Sequence, residues 1–262
     1  MRQKVPTGII GMVHLKPLPG SPAFSGDIDA VERDALADAR TLISGGVNAI
    51  LIENFGDVPF HKNVDVVTVA AMTRIVRSIR ELSDIPLGVN VLRNDAKSAL
   101  AIATATGAQF IRVNVHIGAM LTDQGLIEGQ AAQTLRLREQ LGCDIAILAD
   151  VGVKHASPFD EHWTLEQEAK DAWNRGLADA LIVSGNGTGA STKVGDLERV
   201  KLAVPEAPLI VGSGVRNETV SDYELASSCI VGTAFKRDGL VENEVQLERV
   251  RELCHSSEAG MS

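Results

Sequence analysis

Short apolar runs alternate with longer amphipathic segments along the whole of this 262-residue chain. The runs are rich in β-branched residues, as strands are, and occupy residues 9–13, 49–53, 87–91, 110–115, 145–151, 180–184, 209–212 and 229–232. The segments repeat apolar residues at the i, i+3, i+4 spacing of a helix and occupy residues 29–44, 65–82, 95–106, 128–141, 164–175, 196–204, 218–227 and 244–254. Eight such pairs in about 250 residues predict an α/β protein with the (β/α)8 or TIM-barrel fold. A doubly wound open sheet is the alternative, although it usually has fewer strands.

Composition limits the classes of protein that the chain can belong to. Hydrophobic residues make up 45% of the chain, the net charge is −9, and 3% of residues are aromatic. This disfavours a nucleic-acid surface, which needs basic patches and stacking rings. No membrane span or signal-peptide cleavage site is recognisable, so we expect a cytoplasmic protein. Nothing resembles a linker, so we expect a single domain over residues 1–262, and the three cysteines are too scattered for a metal site or disulfide framework.

Polar residues converge on one end of the predicted barrel. In RVNVH (112–116), Arg112, Asn114 and His116 alternate with valines, so they share a strand face. We expect this polar row to point into the barrel and the apolar row to pack on the helices. Other predicted strands add polar residues at or near their ends: His14, Glu53, Asn90, Asp150 and Ser184. Because an unpaired buried polar group costs about 1–3 kcal/mol, these residues must satisfy one another or a ligand.

Glycine-rich loops follow the last three predicted strands. They read SGNGTGAST (184–192), GSG (212–214) and GTAF (232–235). Loops after strands seven and eight of such barrels often bind phosphate through backbone N–H groups, whereas the simpler interpretation is that glycines only make tight turns. The pair of loops at both expected positions favours phosphate binding. The candidate phosphate-binding residues are Gly185, Gly187, Thr188, Gly189, Gly212, Ser213, Gly214, Gly232 and Thr233.

Glu53 and Asp150 are the carboxylates best placed for general acid or base chemistry. The alternative is that each is structural and pairs with Arg112 or Lys154. For Lys154, charge pairing is favoured over phosphate neutralisation or a Schiff base. His14, Glu53, His116 and Asp150 could together hold a divalent metal, but they share no local spacing, and hydrogen-bonded polar residues are the favoured interpretation. We therefore predict no cofactor and leave a divalent metal open.

Two long loops leave the same end of the predicted barrel. They cover residues 16–27, which are rich in proline and glycine, and residues 54–65. Loops of this length often act as lids over a barrel site, although a plain surface excursion is the alternative. If they close, Asp57 and His61 would enter the site.

The chain resembles the BtpA family over nearly its whole length. The matching stretches are GMVHLKPLPGSP, ENFGDVPF, NVLRND, RVNVHIGAMLTDQGLIEG, DVGVKHASP, SGNGTGAST and GSGVRNE. Ser184 stands where that family is expected to have threonine. The resemblance implies a TIM barrel related to the ribulose-phosphate-binding group, which includes phosphoribosylanthranilate isomerase. That isomerase has a cysteine general base at the end of strand one, where this chain has His14 and Lys16, so a different substrate is implied.

These observations leave three hypotheses for function. The favoured one is an isomerase, epimerase or lyase for a small phosphorylated sugar or nucleoside-derived metabolite. In this hypothesis Glu53 and Asp150 transfer protons, while Asn90, Arg112 and Asn114 orient hydroxyls or stabilise charge; His14, His116 and Lys154 complete the candidate catalytic set. The alternatives are a non-catalytic binding or assembly factor, as the family's link to photosystem I biogenesis implies, and a metal-assisted hydrolase. The expected partner is a small phosphorylated ligand, and homo-oligomerisation is left open.

Overall fold

A closed barrel of parallel strands forms the centre of the computed structural model, which describes residues 2–160, 162–185 and 191–258. In chain order the strands within these ranges are β1 (Gly8–His14), β2 (Ala49–Glu53), β3 (Leu87–Asn90), β4 (Phe110–Val113), β5 (Ala119–Thr122), β6 (Gly125–Glu128), β7 (Ala146–Val151), β8 (Ala156–Pro158), β9 (Ala180–Val183), β10 (Leu209–Val211) and β11 (Ser228–Val231). The order around the barrel is β1-β11-β10-β9-β7-β4-β3-β2, and β2 pairs with β1 to close it. The predicted TIM barrel is confirmed, and the open-sheet alternative is wrong.

Helices surround the barrel because each presents one apolar face to the strands. In the described ranges they are α1 (Ile28–Gly45), α2 (Val66–Arg80), α3 (Ala96–Thr106), α4 (Ala131–Gln140), α5 (Leu165–Asn174), α6 (Val194–Ala203) and α7 (Leu247–Glu258). Local sequence fixes several ends: the Asp27 carboxylate accepts from Ala30 N at 2.9 Å, and Gly46 ends α1 with a φ of 93°. Among the described helices, none is long and apolar enough to cross a membrane.

Two apolar layers hold the strands. One lies between strands and helices, and the other fills the inside of the barrel with alternate residues of the same strands. Phe110 is fully buried in the inner layer, and this depends on Gly88 of the neighbouring strand. A Cβ at Gly88 would lie 2.0 Å from the Phe110 ring. The glycine therefore leaves space for the large ring that fills the inside of the barrel.

A three-stranded antiparallel sheet lies outside the barrel, and the sequence pattern did not predict it. β5 pairs with β6 and with β8, in the order β6-β5-β8. Residues 119–128 form a β-hairpin. The Thr122 hydroxyl closes its turn by donating to the Gly125 carbonyl at 2.9 Å. The predicted helix 128–141 consequently begins later, at Ala131.

The helix predicted at residues 218–227 is also wrong. The structure has one short 3-10 turn there, Val220–Tyr223. The Thr219 hydroxyl accepts from Arg216 N at 3.2 Å and donates to the Arg216 carbonyl at 3.4 Å, which are local side-chain bonds of the kind that threonine makes in turns. The apolar period of residues 218–227 carries no information about such local bonds.

Register aligns polar residues across four adjacent strands. His14 is paired with Glu53, Glu53 with Asn90, and Asn90 with Arg112. These residues lie at or near the carboxyl ends of β1 to β4 and share a level of the barrel. Because βα loops begin at this end, the row forms the floor of a site.

Candidate active site

A large cavity of about 1220 Å³ opens at the carboxyl ends of the strands. Its floor is polar, its far side is made by the glycine loops, and its outer wall is partly aromatic. The lining side chains and loops that matter below are His14, Glu53, Phe55, Val58, Phe60, Leu92, Arg93, Arg112, Asn114, Asp123, Asp150, Lys154, Gly212–Gly214, Gly232 and Thr233.

Asp150 is held by Arg112 and Asn114 at the floor of the cavity. Arg112 Nε and Nη2 donate to Asp150 Oδ1 and Oδ2, both at 2.9 Å, and Asn114 Nδ2 donates to Oδ2 at 2.9 Å. The Arg112 side chain is 6% exposed and that of Asp150 is 1% exposed. A bidentate pair of this kind is strong and fixed in direction. Because Asn114 Nδ2 is held by this pair, the position of Asn114 Oδ1 is fixed as well. This oxygen is buried with no partner in the described chain.

Glu53 is the other buried carboxyl group of the floor. Asn90 Nδ2 donates to its Oε2 atom, and Glu53 is 6% exposed. Burial raises the pKa of Glu53, and the positive charge of Arg112 only partly opposes this effect. The carboxyl group therefore holds a proton more readily than an exposed glutamate. Asn90 contacts Glu53 and does not itself line the cavity.

Lys154 extends from the loop after β7 toward the glycine loops. Its Nζ atom donates to the Gly212 carbonyl at 3.1 Å. Burial, and then the nearby Arg112, lowers the pKa of Lys154 to about 8. The ion pair with Asp150 that the sequence suggested for this lysine is formed by Arg112 instead, because Arg112 lies on the adjacent strand β4.

The His14 side chain belongs to the cavity. The His14 ring lines the cavity and makes an edge contact with Phe55 at a centroid distance of 4.9 Å. Burial, and then Lys236, lowers the pKa of His14 to about 3, so its ring is neutral. Its Nδ1 atom is buried with no partner among the described residues.

His116 does not join the polar row. Strand β4 ends at Val113, so strand alternation no longer governs the direction of residue 116. The His116 Nε2 atom is 2.8 Å from the Gly176 carbonyl oxygen, and His116 lies outside the cavity. The expectation that it faces the site is therefore wrong, and hydrogen bonding to the backbone is its observed role.

The loops after β10 and β11 form one side of the cavity. Gly212, Ser213, Gly214, Gly232 and Thr233 all line it. At two of these positions glycine has a steric reason: a Cβ at Gly212 would lie 2.2 Å from Ser184 Oγ, and one at Gly232 would lie 2.7 Å from His14 Cε1.

The loop after β9 is described only at its start. Gly185 N donates to Ser213 Oγ at 3.0 Å, which joins this loop to the loop after β10. The candidate residues Gly187, Thr188 and Gly189 lie outside the described residues.

The two long loops are tied to each other. Asp57 Oδ1 accepts from Leu18 N at 2.8 Å, and burial raises the pKa of Asp57. Asp57 and His61 do not line the large cavity, and the His61 carbonyl accepts from Arg93 N at 2.9 Å. Closure of these loops stays a prediction.

Three of the four metal candidates identified in the sequence have separate partners, and the fourth is His14, whose Nδ1 atom has none among the described residues. Glu53 contacts Asn90, Asp150 contacts Arg112, and His116 contacts a backbone carbonyl. Within the described ranges, no three His, Cys, Asp or Glu side chains are grouped so that they could hold a metal ion.

The family model described as the BtpA family matches residues 5–259. The chain belongs to the BtpA family. Three relatives illustrate the sequence identities found within this family. The uncharacterized protein TK2179 of Thermococcus kodakarensis is 50% identical, covering 94% of this chain and 93% of that protein. The photosystem I biogenesis protein BtpA of Synechocystis is 45% identical over 97% and 88% of the two chains. The putative sgc region protein SgcQ of Escherichia coli is 34% identical over 92% and 91%.

Solved structures show the same fold at low sequence identity. N-(5'-phosphoribosyl)anthranilate isomerase from Pyrococcus furiosus has a TM-score of 0.58 at 13% identity, covering 97% of this chain and 99% of that chain. The native KDPGal structure has a TM-score of 0.59 at 13% identity, covering 99% and 97%. At this identity the likeness establishes the barrel and nothing about the reaction.

The stretches that carry the BtpA resemblance surround the cavity. ENFGDVPF supplies Glu53, Phe55, Val58 and Phe60, and NVLRND supplies Leu92 and Arg93. The sequence pattern did not identify the aromatic and arginine members of this wall. These residues lie in ENFGDVPF and NVLRND, but loop residues have no period that would show which way their side chains point.

Proposed function

We propose that this BtpA-family barrel is an enzyme that acts on a small phosphorylated sugar or nucleoside-derived metabolite by isomerase, epimerase or lyase chemistry. One observation carries the proposal: a buried Glu53 and a fixed Arg112–Asp150 pair share a cavity with two glycine-rich loops. A proton-transferring group, fixed hydrogen-bond donors and an anion-binding wall are the parts that such reactions require.

The phosphoryl group would bind at the loops after β10 and β11. Backbone N–H groups of Ser213, Gly214 and Thr233 and the Thr233 hydroxyl would donate to its oxygens. Gly212 and Gly232 both line the cavity, so a ligand can reach the backbone of these loops. Lys154, bonded to the Gly212 carbonyl, supplies positive charge beside this wall.

Proton transfer is assigned to Glu53. Its raised pKa makes this carboxyl group a better proton acceptor than an exposed glutamate. Asp150 has both oxygens occupied by Arg112 and Asn114. We therefore assign it the holding of these two side chains, which would orient hydroxyl groups or stabilise charge that develops on the substrate.

Thermal unfolding with candidate ligands tests the proposal. Inorganic phosphate, pentose phosphates and hexose phosphates are added separately to the purified protein. A ligand at a hundred times its Kd should stabilise the fold by about 2.7 kcal/mol. Thr233→Val should reduce the shift, whereas Thr104→Val, at an exposed position on α3, should leave it unchanged. The absence of any shift with every phosphorylated compound would contradict the proposal.

A non-catalytic assembly role is the second candidate. Leu121, Leu126 and Phe159 are 49%, 38% and 69% exposed on or beside the three-stranded sheet. Exposed apolar residues can mark a protein-binding face, and the Synechocystis relative is named for photosystem I biogenesis. Turnover of a phosphorylated compound by the isolated protein would favour the enzyme. A metal-assisted hydrolase remains a third candidate, which full activity after exhaustive chelation would rule out.

A further inference from the structure

The outer wall of the cavity has a different character from its floor. We call it the ring subsite and define it by Phe55, Phe60, Val58, Leu92 and Arg93. Phe55 and Phe60 are half-buried, and Val58 is 57% exposed, so apolar surface faces the space inside the cavity. A phosphate or a sugar hydroxyl gains nothing from such a wall.

The size of the cavity also indicates a ligand larger than a sugar phosphate. Pockets for small molecules usually span about 300–1,000 Å³, whereas this one has a volume of about 1220 Å³. A phosphorylated pentose bound between the glycine loops and the polar floor would leave the ring subsite unfilled. The missing part of the ligand should be flat and largely apolar, because aromatic side chains provide stacking surfaces.

We propose that the ring subsite binds the base of a nucleoside 5'-monophosphate, or of a closely related nucleotide, whose phosphoryl group lies at the glycine loops. This inference rests on the proposed function for its phosphoryl end. It deepens that function by assigning the ligand a planar ring that a sugar phosphate lacks.

Polar groups beside the ring subsite suit the edge of a base. Arg93 is 7% exposed, and its Nη2 atom donates to the Lys154 carbonyl at 2.7 Å, which leaves further N–H groups of the fork for a ligand. Asp123, in the turn between β5 and β6, lines the same cavity and lies close enough to Arg93 to affect its pKa. A donor and an acceptor together match the mixed edge of a base.

Lys154 joins the two ends of the cavity. Its backbone carbonyl binds Arg93 of the ring subsite, and its Nζ atom binds the Gly212 carbonyl beside the glycine loops. A single lysine residue therefore spans the distance between the ring subsite and the glycine loops. The polar floor of Glu53 and Arg112 lies in the same cavity and would face the ribose hydroxyls.

Calorimetric titration of the full-length protein tests the inference. The probes are inorganic phosphate, ribose 5-phosphate, the common nucleoside 5'-monophosphates and the corresponding nucleosides. At least one nucleotide should bind about tenfold more tightly than ribose 5-phosphate, as expected for a stacked base. Phe60→Leu should reduce this margin about fivefold by removing the ring while keeping apolar volume. Phe159→Leu is the matched control, because Phe159 is 69% exposed and does not line the cavity.

A second variant protects the test against misfolding. Asp123→Asn changes an exposed turn residue and should alter the preference among bases, whereas Asp144→Asn, at an exposed position outside the cavity, should not. Equal affinity for ribose 5-phosphate and every nucleotide would overturn the inference, as would a margin that Phe60→Leu leaves intact. If nucleosides bind and inorganic phosphate and ribose 5-phosphate do not, the ring subsite stands and the proposed phosphate site fails.

Discussion

At the scale of single residues, burial controls the chemistry of the cavity floor. Glu53 and Asp150 are both buried carboxyl groups, yet their partners differ. Asp150 receives three hydrogen bonds from Arg112 and Asn114, whereas Glu53 has the neutral Asn90 beside it. A neutral partner compensates burial less than a bidentate arginine does. The two carboxyl groups are therefore suited to different tasks.

Replacing Glu53 with glutamine tests its role in proton transfer. Gln can still accept from Asn90, so ligand binding should persist, while turnover should fall about 10²–10⁴-fold. Stability should respond as well: burial raises the folded-state pKa of Glu53, so the wild type loses stability as pH rises from the unfolded value of 4.5 through the folded value. E53Q should show a smaller loss than the wild type in urea unfolding, because only the contribution of Glu53 is removed. An unchanged turnover would contradict the assignment, and Glu139→Gln, at an exposed position on α4, is the control.

Residue patterns predicted the floor better than the wall. Arg112 and Asn114 could be placed because strand alternation and the start of β4 were readable, and both contact Asp150. His116 failed because the strand ends at Val113. Phe60 and Arg93 could not be placed, since the direction of a loop side chain depends on tertiary contacts that no local period records.

At the scale of elements, connections between strands decide the shape of the site. The β5–β6 hairpin brings Asp123 to the cavity, and the 3-10 turn after β10 replaces a predicted helix. Long segments with a strong period were predicted correctly, as α1 and α2 show. Short segments failed because one hydroxyl or one turn glycine can outweigh a weak apolar period.

The fit between Gly88 and Phe110 predicts a clear cost for one methyl group. Gly88→Ala places a Cβ 2.0 Å from the ring and should destabilise the barrel by about 1–3 kcal/mol. Gly195→Ala on α6 meets nothing within 4 Å and should be neutral or stabilising. In urea unfolding, the G88A/F110L double variant should lose less than the sum of the single losses. Strict additivity would show that the two residues do not compete for space.

Glu168 of α5, which contacts the loop that carries Lys154, predicts that the stability of the fold depends on pH. Its Oε2 atom accepts from Gly152 N at 3.2 Å, and burial raises the pKa of Glu168 to about 7 from 4.5. The proton is therefore held more tightly in the folded state, and stability should fall as pH rises from 4.5 to about 7. Glu168→Gln should flatten this slope in urea unfolding measured across that range. A slope equal to that of the wild type would contradict the assignment.

At the scale of the whole molecule, the chain closes on itself. β1 pairs with β11, and Lys236, after the last strand, donates to Asp38 of α1. Lys236 is 2% exposed, and the second Asp38 oxygen accepts from Val245 N at 2.8 Å. This buried pair fastens the end of the chain to its first helix. The sequence predicted the closed barrel from eight repeated units, but not this pair, whose partners are far apart in the chain.

Removing the buried lysine should weaken the entire fold. Lys236→Met leaves the Asp38 carboxylate, which is 13% exposed, without its cation and should cost about 3–5 kcal/mol. Lys16→Met removes the partner of Asp34, on the same helix, from an exposed pair at 3.7 Å, and should cost about 0–1 kcal/mol. Urea unfolding of both variants measures the difference. Equal losses would show that Lys236 has no special part in closing the barrel.

The central claim is that the cavity binds a phosphorylated small molecule between the glycine loops and the polar floor. A crystal structure with ribose 5-phosphate at saturating concentration tests it most directly. We predict a phosphoryl group at Gly212–Gly214 and Thr233, with sugar hydroxyls facing Glu53, Arg112 and Asn114. An empty cavity under these conditions, or a phosphoryl group bound elsewhere on the barrel, would contradict the account.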